Sequence, residues 1–377
     1  MQSHKNEETL TVGLVFLFLI CLFSVEDLFR FVEALGFLVG SVGDFVASDF
    51  VDLGEGGFEV ECGEVEARLV DVGSGPSSVQ VFGLDSQSSI VRFETVDVYV
   101  TTGALVGPAT SLVPGVPGIG WLGLRFRFKP SDELVNKVEE AIGGFALVRS
   151  GVTGRVFDGS YNEEAVRDEV RTEVEVGLVR RFGELGGNSV LLLDGPVFPT
   201  PKVLTMGGNP YSELYWGLVR LRVETSRGLR VVGVVKRLGQ STYYARCRGF
   251  SVDDDSLIKN EVSRQFGNKP AYTAVVGPVK ITAGDYGKYC WYVASRLGRE
   301  VNVVRVEALN EDLAEYGAEL VARLTGSGGV PIPIGIADRV SRRLNGSVVK
   351  LLASLSPLRL TYEGLEEIGR SLRELGE

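Results

Sequence analysis

Val190-Leu191-Leu192-Leu193-Asp194-Gly195-Pro196 is the passage from which the topology can be built outward. Its apolar stretch is short, has no polar alternation and stops at a turn-forming Asp-Gly-Pro, as a strand buried on both faces does. Upstream, Asn162 to Phe182 reads as a long, heavily charged helix closed by Gly186-Gly187-Asn188. Before it, Val79 to Leu84 reads as a strand that stops at Asp85. Ser86 to Ser89 then make a turn, and Val91 to Val100 alternates as a second strand, giving a hairpin with Asp85 near its base. Residues 107–120 are a proline- and glycine-rich loop, and Ser131 to Val148 is a helix capped by Ser131. Downstream, Leu218 to Val223 and Leu229 to Val235 read as a strand pair leading into Lys236-Arg237. Val301 to Val306 is a further strand, Glu311 to Leu324 a helix, and a loop with Pro331 and Pro333 precedes a helix from Ile336 to Leu355. An amphipathic helix from Tyr362 to Leu375 closes the chain. Strands mixed with helices in this order give an α/β protein.

Composition agrees. The chain has 377 residues, 44% hydrophobic and 23% charged, enough apolar material for a core and too much for a disordered protein. Its net charge of -10 argues against coating nucleic acid by bulk attraction. The charge is unevenly spread. Residues 1–100 carry 4 Lys/Arg against 17 Asp/Glu, and residues 171–250 carry 12 against 6, as in a molecule that grips a polyanion on one face. Cys21, Cys62, Cys247 and Cys290 form no CxxC pair and read as reduced core residues of a cytoplasmic protein. His4 is the only histidine, so histidine metal sites and Ser-His-Asp or Cys-His catalysis are excluded from the body of the chain, and a metal would need carboxylates. The apolar run Val12 to Phe23 is shorter than the ~20 residues of a spanning helix, which makes a membrane span the weaker reading. Val25 to Val39 has helical spacing of Leu28, Phe31, Val32, Leu35 and Leu38. Residues 41–78 read as an acidic loop with short strands.

Asp85 and Asp194 both stand at the C-terminal ends of apolar strands, where open α/β sheets gather their ligands. The helix between them carries Glu169, Glu173 and Glu175. Each of these residues alone also fits a turn or a solvated helix face. Together they are a carboxylate set of the kind that holds Mg²⁺ or Mn²⁺ for phosphodiester hydrolysis. Lys236 and Arg237 leave the end of another apolar strand, suited to phosphate, and Arg246 follows a Tyr243-Tyr244 pair, suited to single-strand contact.

The order of these motifs resembles the NurA family of archaeal DNA-end-processing nucleases. The resembling pieces are Val81-Phe82-Gly83-Leu84-Asp85-Ser86, Val170-Arg171-Thr172-Glu173-Val174-Glu175, Leu191-Leu192-Leu193-Asp194-Gly195-Pro196, Val232-Gly233-Val234-Val235-Lys236, Val304-Arg305-Val306-Glu307 and Gly329-Val330-Pro331-Ile332-Pro333 with Ile336-Ala337-Asp338. The resemblance implies an RNase H-like mixed sheet flanked by helices over residues 76–355. Residues 1–75 are then an N-terminal extension and residues 356–377 a C-terminal helix. It further implies a Mn²⁺-dependent deoxyribonuclease, Mg²⁺ being the alternative ion, that works by two-metal hydrolysis as a homodimer with a hexameric HerA-type ATPase. By that likeness Asp85 and Asp194 are metal ligands, with Glu175, or Glu173 two residues away, as the helix ligand. Ser86 stands where the family usually has glycine, and Val330 and Asp338 stand where it usually has tyrosine and histidine. Asp338 can still ligate a hard cation. The same departures suit a second reading, a catalytically weak adaptor that binds the ATPase and DNA.

Overall fold

The computed structural model describes residues 26–39, 49, 54, 56, 58–72, 79–185, 187–298, 300–326 and 329–375. The apolar run Val12 to Phe23, His4 and Cys21 lie outside them. The protein is mixed α/β. Its strands are β1 (Glu59–Leu69), β2 (Gln80–Arg92), β3 (Val96–Val106), β4 (Ser111–Val113), β5 (Leu122–Phe126), β6 (Ala146–Leu147), β7 (Ser189–Asp194), β8 (Val231–Val235), β9 (Ala271–Ala283), β10 (Tyr286–Leu297) and β11 (Glu300–Ala308). They form one mixed sheet in the order β1-β9-β10-β11-β8-β7-β2-β3-β5-β6, with β4 beside β3. The parallel centre is β2-β7-β8, and long antiparallel meanders extend it on both sides.

The helices are α1 (26–35), α2 (Asp132–Ile142), α3 (Glu163–Leu185), α4 (Ser212–Ser226), α5 (Tyr243–Cys247), α6 (Asp254–Phe266), α7 (Glu311–Leu324), α8 (Ile332–Leu355) and α9 (Tyr362–Leu375). They cover both faces of the sheet. β7 shows why its sequence lacks alternation. Val190 and Leu192 belong to an apolar cluster with α7 and the start of α8, whereas Leu191 and Leu193 belong to the larger cluster that contains α3 and α4. Two glycines let the helices approach. A Cβ on Gly83 would overlap the Pro333 carbonyl at the start of α8, and one on Gly103 would overlap Val174 and Leu178 of α3.

Several expectations need correction. β2 does not stop at Asp85, and Ser86 to Ser89 are not a turn. β2 outruns its parallel neighbour β7 and continues to Arg92 in register with β3, so the hairpin turns at residues 93–95. Leu218 to Val223 is not a strand but part of α4, which buries Leu214, Tyr215, Leu218 and Val219 at helical spacing. Tyr243 and Tyr244, read as suited to single-strand contact, are buried in the short α5. Residues 59–69, read as loop with short strands, are a full edge strand paired with β9. The helix expected over Ser131–Val148 ends at Ile142, and β6 follows. Cys62 and Cys247 are not reduced. They form a disulfide between β1 and α5, with Cα atoms 5.6 Å apart, a separation in the range that a bridge requires. Cys290 is free and buried, as expected. In α1, Leu28, Phe31 and Leu35 pack in the main core, so this part of the N-terminal region is integral to the fold.

Candidate active site

The β2-β7-β8 register assembles the site. Leu84 pairs with Leu193, so Asp85 and Asp194 occupy the next rung of two parallel neighbours, and Asp194 in turn pairs with Val234. Side chains alternate faces along a strand. Asp85 therefore shares its face with Gly83, against α8, and Asp194 shares that face with Val190 and Leu192. Two residues past Val234, Lys236 falls on the same side. The second turn of α8 contributes Asp338. Carboxylate oxygens of Asp85, Asp194 and Asp338 lie within 4.8 Å of one another.

Asp85 is 4% exposed, and Ser341 Oγ donates to its Oδ2 at 2.5 Å. Burial, together with the charges of Asp194 and Asp338, pushes its carboxyl up to about 7, against the lowering effect of the Ser341 bond and Arg171. Three mutually repelling carboxylates offering only oxygen are a donor set that a hard dication fits. Lys236 Nζ lies 2.5 Å from Asp194 Oδ2, and Arg342 pairs with Asp338 at 2.8 Å.

Ser86 points to the opposite face, toward α3, and meets Glu175. Ser86 Oγ donates to Glu175 Oε1 at 2.5 Å, Arg171 Nε donates to the same oxygen at 2.7 Å, and Arg222 of α4 pairs with Oε2. Burial alone would raise this carboxyl. Arg222 and Arg171, with the Ser86 hydroxyl, outweigh it and hold Glu175 down at about 2. Glu175 is outside the aspartate trio. It does line the same cleft of about 630 Å³, together with Asp85, Asp194, Asp338, Arg167, Arg171, Arg222, Lys236, Arg237 and Arg342.

Helical phase separates Glu173 from Glu175. Two residues along a helix turn the side chain by about 200°, and Glu173 lines a different cleft beside Arg180 and residues 110–119. Glu169 also turns away. It accepts from the Tyr161 hydroxyl at 2.6 Å, and burial pushes its carboxyl up to about 7. Arg246 is exposed and does not line the cleft.

One supporting assembly was not anticipated. Glu307 and Lys288 are fully buried and 3.0 Å apart, and Arg305 lies 2.8 Å from the other Glu307 oxygen. Glu307 accepts from the Val197 backbone N–H, and Lys288 donates to the Phe198 carbonyl, which pins the loop after Asp194. Arg305 also donates to Ser241 Oγ, which donates to the buried Asp254, so the loop after Lys236 is pinned as well. An alternating Arg305-Val306-Glu307 with both polar residues on a buried face was the available signal.

The family of this chain follows from its sequence over the same region. A family model described as the NurA domain matches residues 79–343. The chain belongs to the NurA family. That span holds every residue of the trio and of the Glu175 cluster. No curated protein matches. Among solved structures, the chain is similar to the NurA nuclease from Sulfolobus solfataricus, at 12% identity over 77% of this chain and 86% of that one, with a TM-score of 0.44. It is similar to another NurA at 10% identity over 80% and 92%, with a TM-score of 0.46. It is also similar to a NurA bound to dAMP and manganese, at 11% identity over 70% and 84%, with a TM-score of 0.40.

Proposed function

We propose that this NurA-family chain is a metal-dependent deoxyribonuclease of RNase H-like architecture, acting on DNA ends. The observation that carries the reading is the convergence of Asp85, Asp194 and Asp338 in a cleft whose lining also carries Arg167, Arg171, Arg222, Lys236, Arg237 and Arg342. Asp85, Asp194 and Asp338 would hold the metal, Mn²⁺ or Mg²⁺. Such ions supply the Lewis acidity for two-metal phosphodiester hydrolysis. Ser341 orients Asp85 by fixing one of its oxygens. Lys236 neutralises Asp194 and, on the same strand end, is placed to steady a phosphate, with Arg237 beside it at the cleft mouth. The buried Glu307–Lys288–Arg305 assembly keeps both loops from drifting. A homodimer working with a hexameric HerA-type ATPase belongs to the same proposal.

The deciding assay incubates the protein with end-labelled single- and double-stranded DNA in Mn²⁺, Mg²⁺ or EDTA, beside Asp194→Asn. Cleavage that needs metal and disappears in the variant supports the nuclease. A folded protein that binds the ATPase but never cuts supports the second reading, an adaptor, which the valine at Val330 and the aspartate at Asp338 favour.

A further inference from the structure

We infer that Glu175 is a positioning residue for a phosphate clamp made by Arg171 and Arg222, and is not a ligand of the metal. The inference deepens the nuclease reading and rests on it. It starts from the pleat. Asp85 and Ser86 are consecutive on β2, so their side chains leave on opposite faces. Asp85 goes to α8 and meets Ser341, whereas Ser86 goes to α3 and meets Glu175. The sheet thus sorts the carboxylates into two groups that open onto one cleft.

Charge tells the groups apart. Among the described residues the aspartate trio faces Lys236 and Arg342 alone in direct ion pairs, two cations against three carboxylates, which suits a dication. The Glu175 carboxylate is met directly by two guanidiniums and a hydroxyl, more counter-charge than any carboxylate of the trio receives, with the buried Asp168 beside the same arginines. To ligate a metal, Glu175 would have to leave both arginines and strand them in a partly buried site. A phosphodiester, by contrast, is a monoanion with oxygens that match guanidinium donors. The Arg171 side chain is 41% exposed and so has donors to offer at the cleft, while Arg222, at 11%, is fixed from behind by α4. Ser86 completes the fixture. Its hydroxyl accepts from Arg171 Nε at 3.0 Å while donating to Glu175, a link that glycine could not make. The ligand class is the backbone phosphate next to the one being cut.

Three measurements test this on the full-length protein. Mn²⁺ titration followed by electron paramagnetic resonance should give Glu175→Gln an affinity within about threefold of wild type, with Asp194→Asn at least about tenfold weaker. DNA binding in EDTA, where nothing is cut, should lose about one unit of salt slope in Arg171→Gln and again in Arg222→Gln. Glu175→Gln should bind DNA no more weakly, because a negative charge is gone, yet turn over at least about tenfold more slowly at saturating Mn²⁺ and DNA. Glu175→Asp should recover part of that turnover. A tenfold loss of Mn²⁺ affinity in Glu175→Gln overturns the inference. So does an unchanged salt slope in both arginine variants, or full turnover per folded molecule in Glu175→Gln. A wild-type protein that neither binds Mn²⁺ nor cuts defeats the nuclease reading instead, and the EDTA binding arm still reports on the clamp.

Discussion

Asp85 and Glu175 are both almost wholly buried carboxyls, reached from adjacent residues of one strand, and their acidities are driven in opposite directions, to about 7 and about 2. Burial raises both. The difference lies in the company each keeps. On the α8 face the nearest groups to Asp85 are two more aspartates and a single serine hydroxyl. On the α3 face two guanidiniums close on Glu175. Counter-charge and not depth decides which carboxylate is left wanting a cation.

That contrast can be broken from either side. The largest effect is expected from Asp194→Asn, which should reduce metal-dependent cleavage by about 10³-fold or more with the far-ultraviolet circular dichroism unchanged. A residual rate near wild type would mean that the trio is not the metal site. Next comes Glu175→Ala, which leaves Arg171 and Arg222 without their anion. A loss of about 2–4 kcal/mol is expected in urea denaturation, reduced from the fully buried case because Arg171 is half open to solvent. If the midpoint does not move, the pair is solvated and the contrast between the faces is overstated.

Asp85→Asn should do the opposite in metal-free solution. The native carboxyl holds its proton up to about 7, while the unfolded one releases it near 4, so the native state binds more protons between these values. Stability of the metal-free protein should therefore fall as pH rises across that window, and the full penalty applies above it. The variant removes the penalty. Its advantage over wild type in EDTA should be near zero at pH 4 and on the order of 3–4 kcal/mol at pH 8. Denaturation curves at both pH values check the sign, and an advantage that shrinks with rising pH would contradict it. Added Mn²⁺ should reverse the order by stabilising wild type alone. The smallest effect is expected from Ser341→Ala, where loss of one hydrogen bond to Asp85 should cost about tenfold in Mn²⁺ affinity, with Ser341→Thr intermediate. Equal affinities would show that Asp85 needs no orienting partner.

Much of this was legible beforehand. Runs such as Val190 to Leu193 and Val231 to Val235 have one reading, because a continuous apolar stretch that short is comfortable only as a strand covered on both faces. The aspartate at the end of β7 and the lysine after β8 follow directly. Asp85 was found for a partly mistaken reason, since β2 runs on past it. Strand length is set by the partner, and β3 continues to pair where β7 stops. In α4, the fragment Leu218-Val219-Arg220-Leu221-Arg222-Val223 alternates well enough to pass for a strand. Only with Leu214 and Tyr215 included does the helical spacing emerge.

The chain's own letters thus determined the central strands β7 and β8 and the long helix α3, the scarcity of histidine that leaves carboxylates to hold any metal, and the aspartate at the end of β7. These depend on local periodicity and residue chemistry. Tertiary structure brought Asp338, a candidate the family resemblance had named, to Asp85 across more than 250 residues, and it alone decided that Glu175 is enclosed by arginines from two helices and that Cys62 meets Cys247. Each of these depends on which face of the sheet a distant element covers. Sequence distance carries no information about that, because faces are assigned by packing.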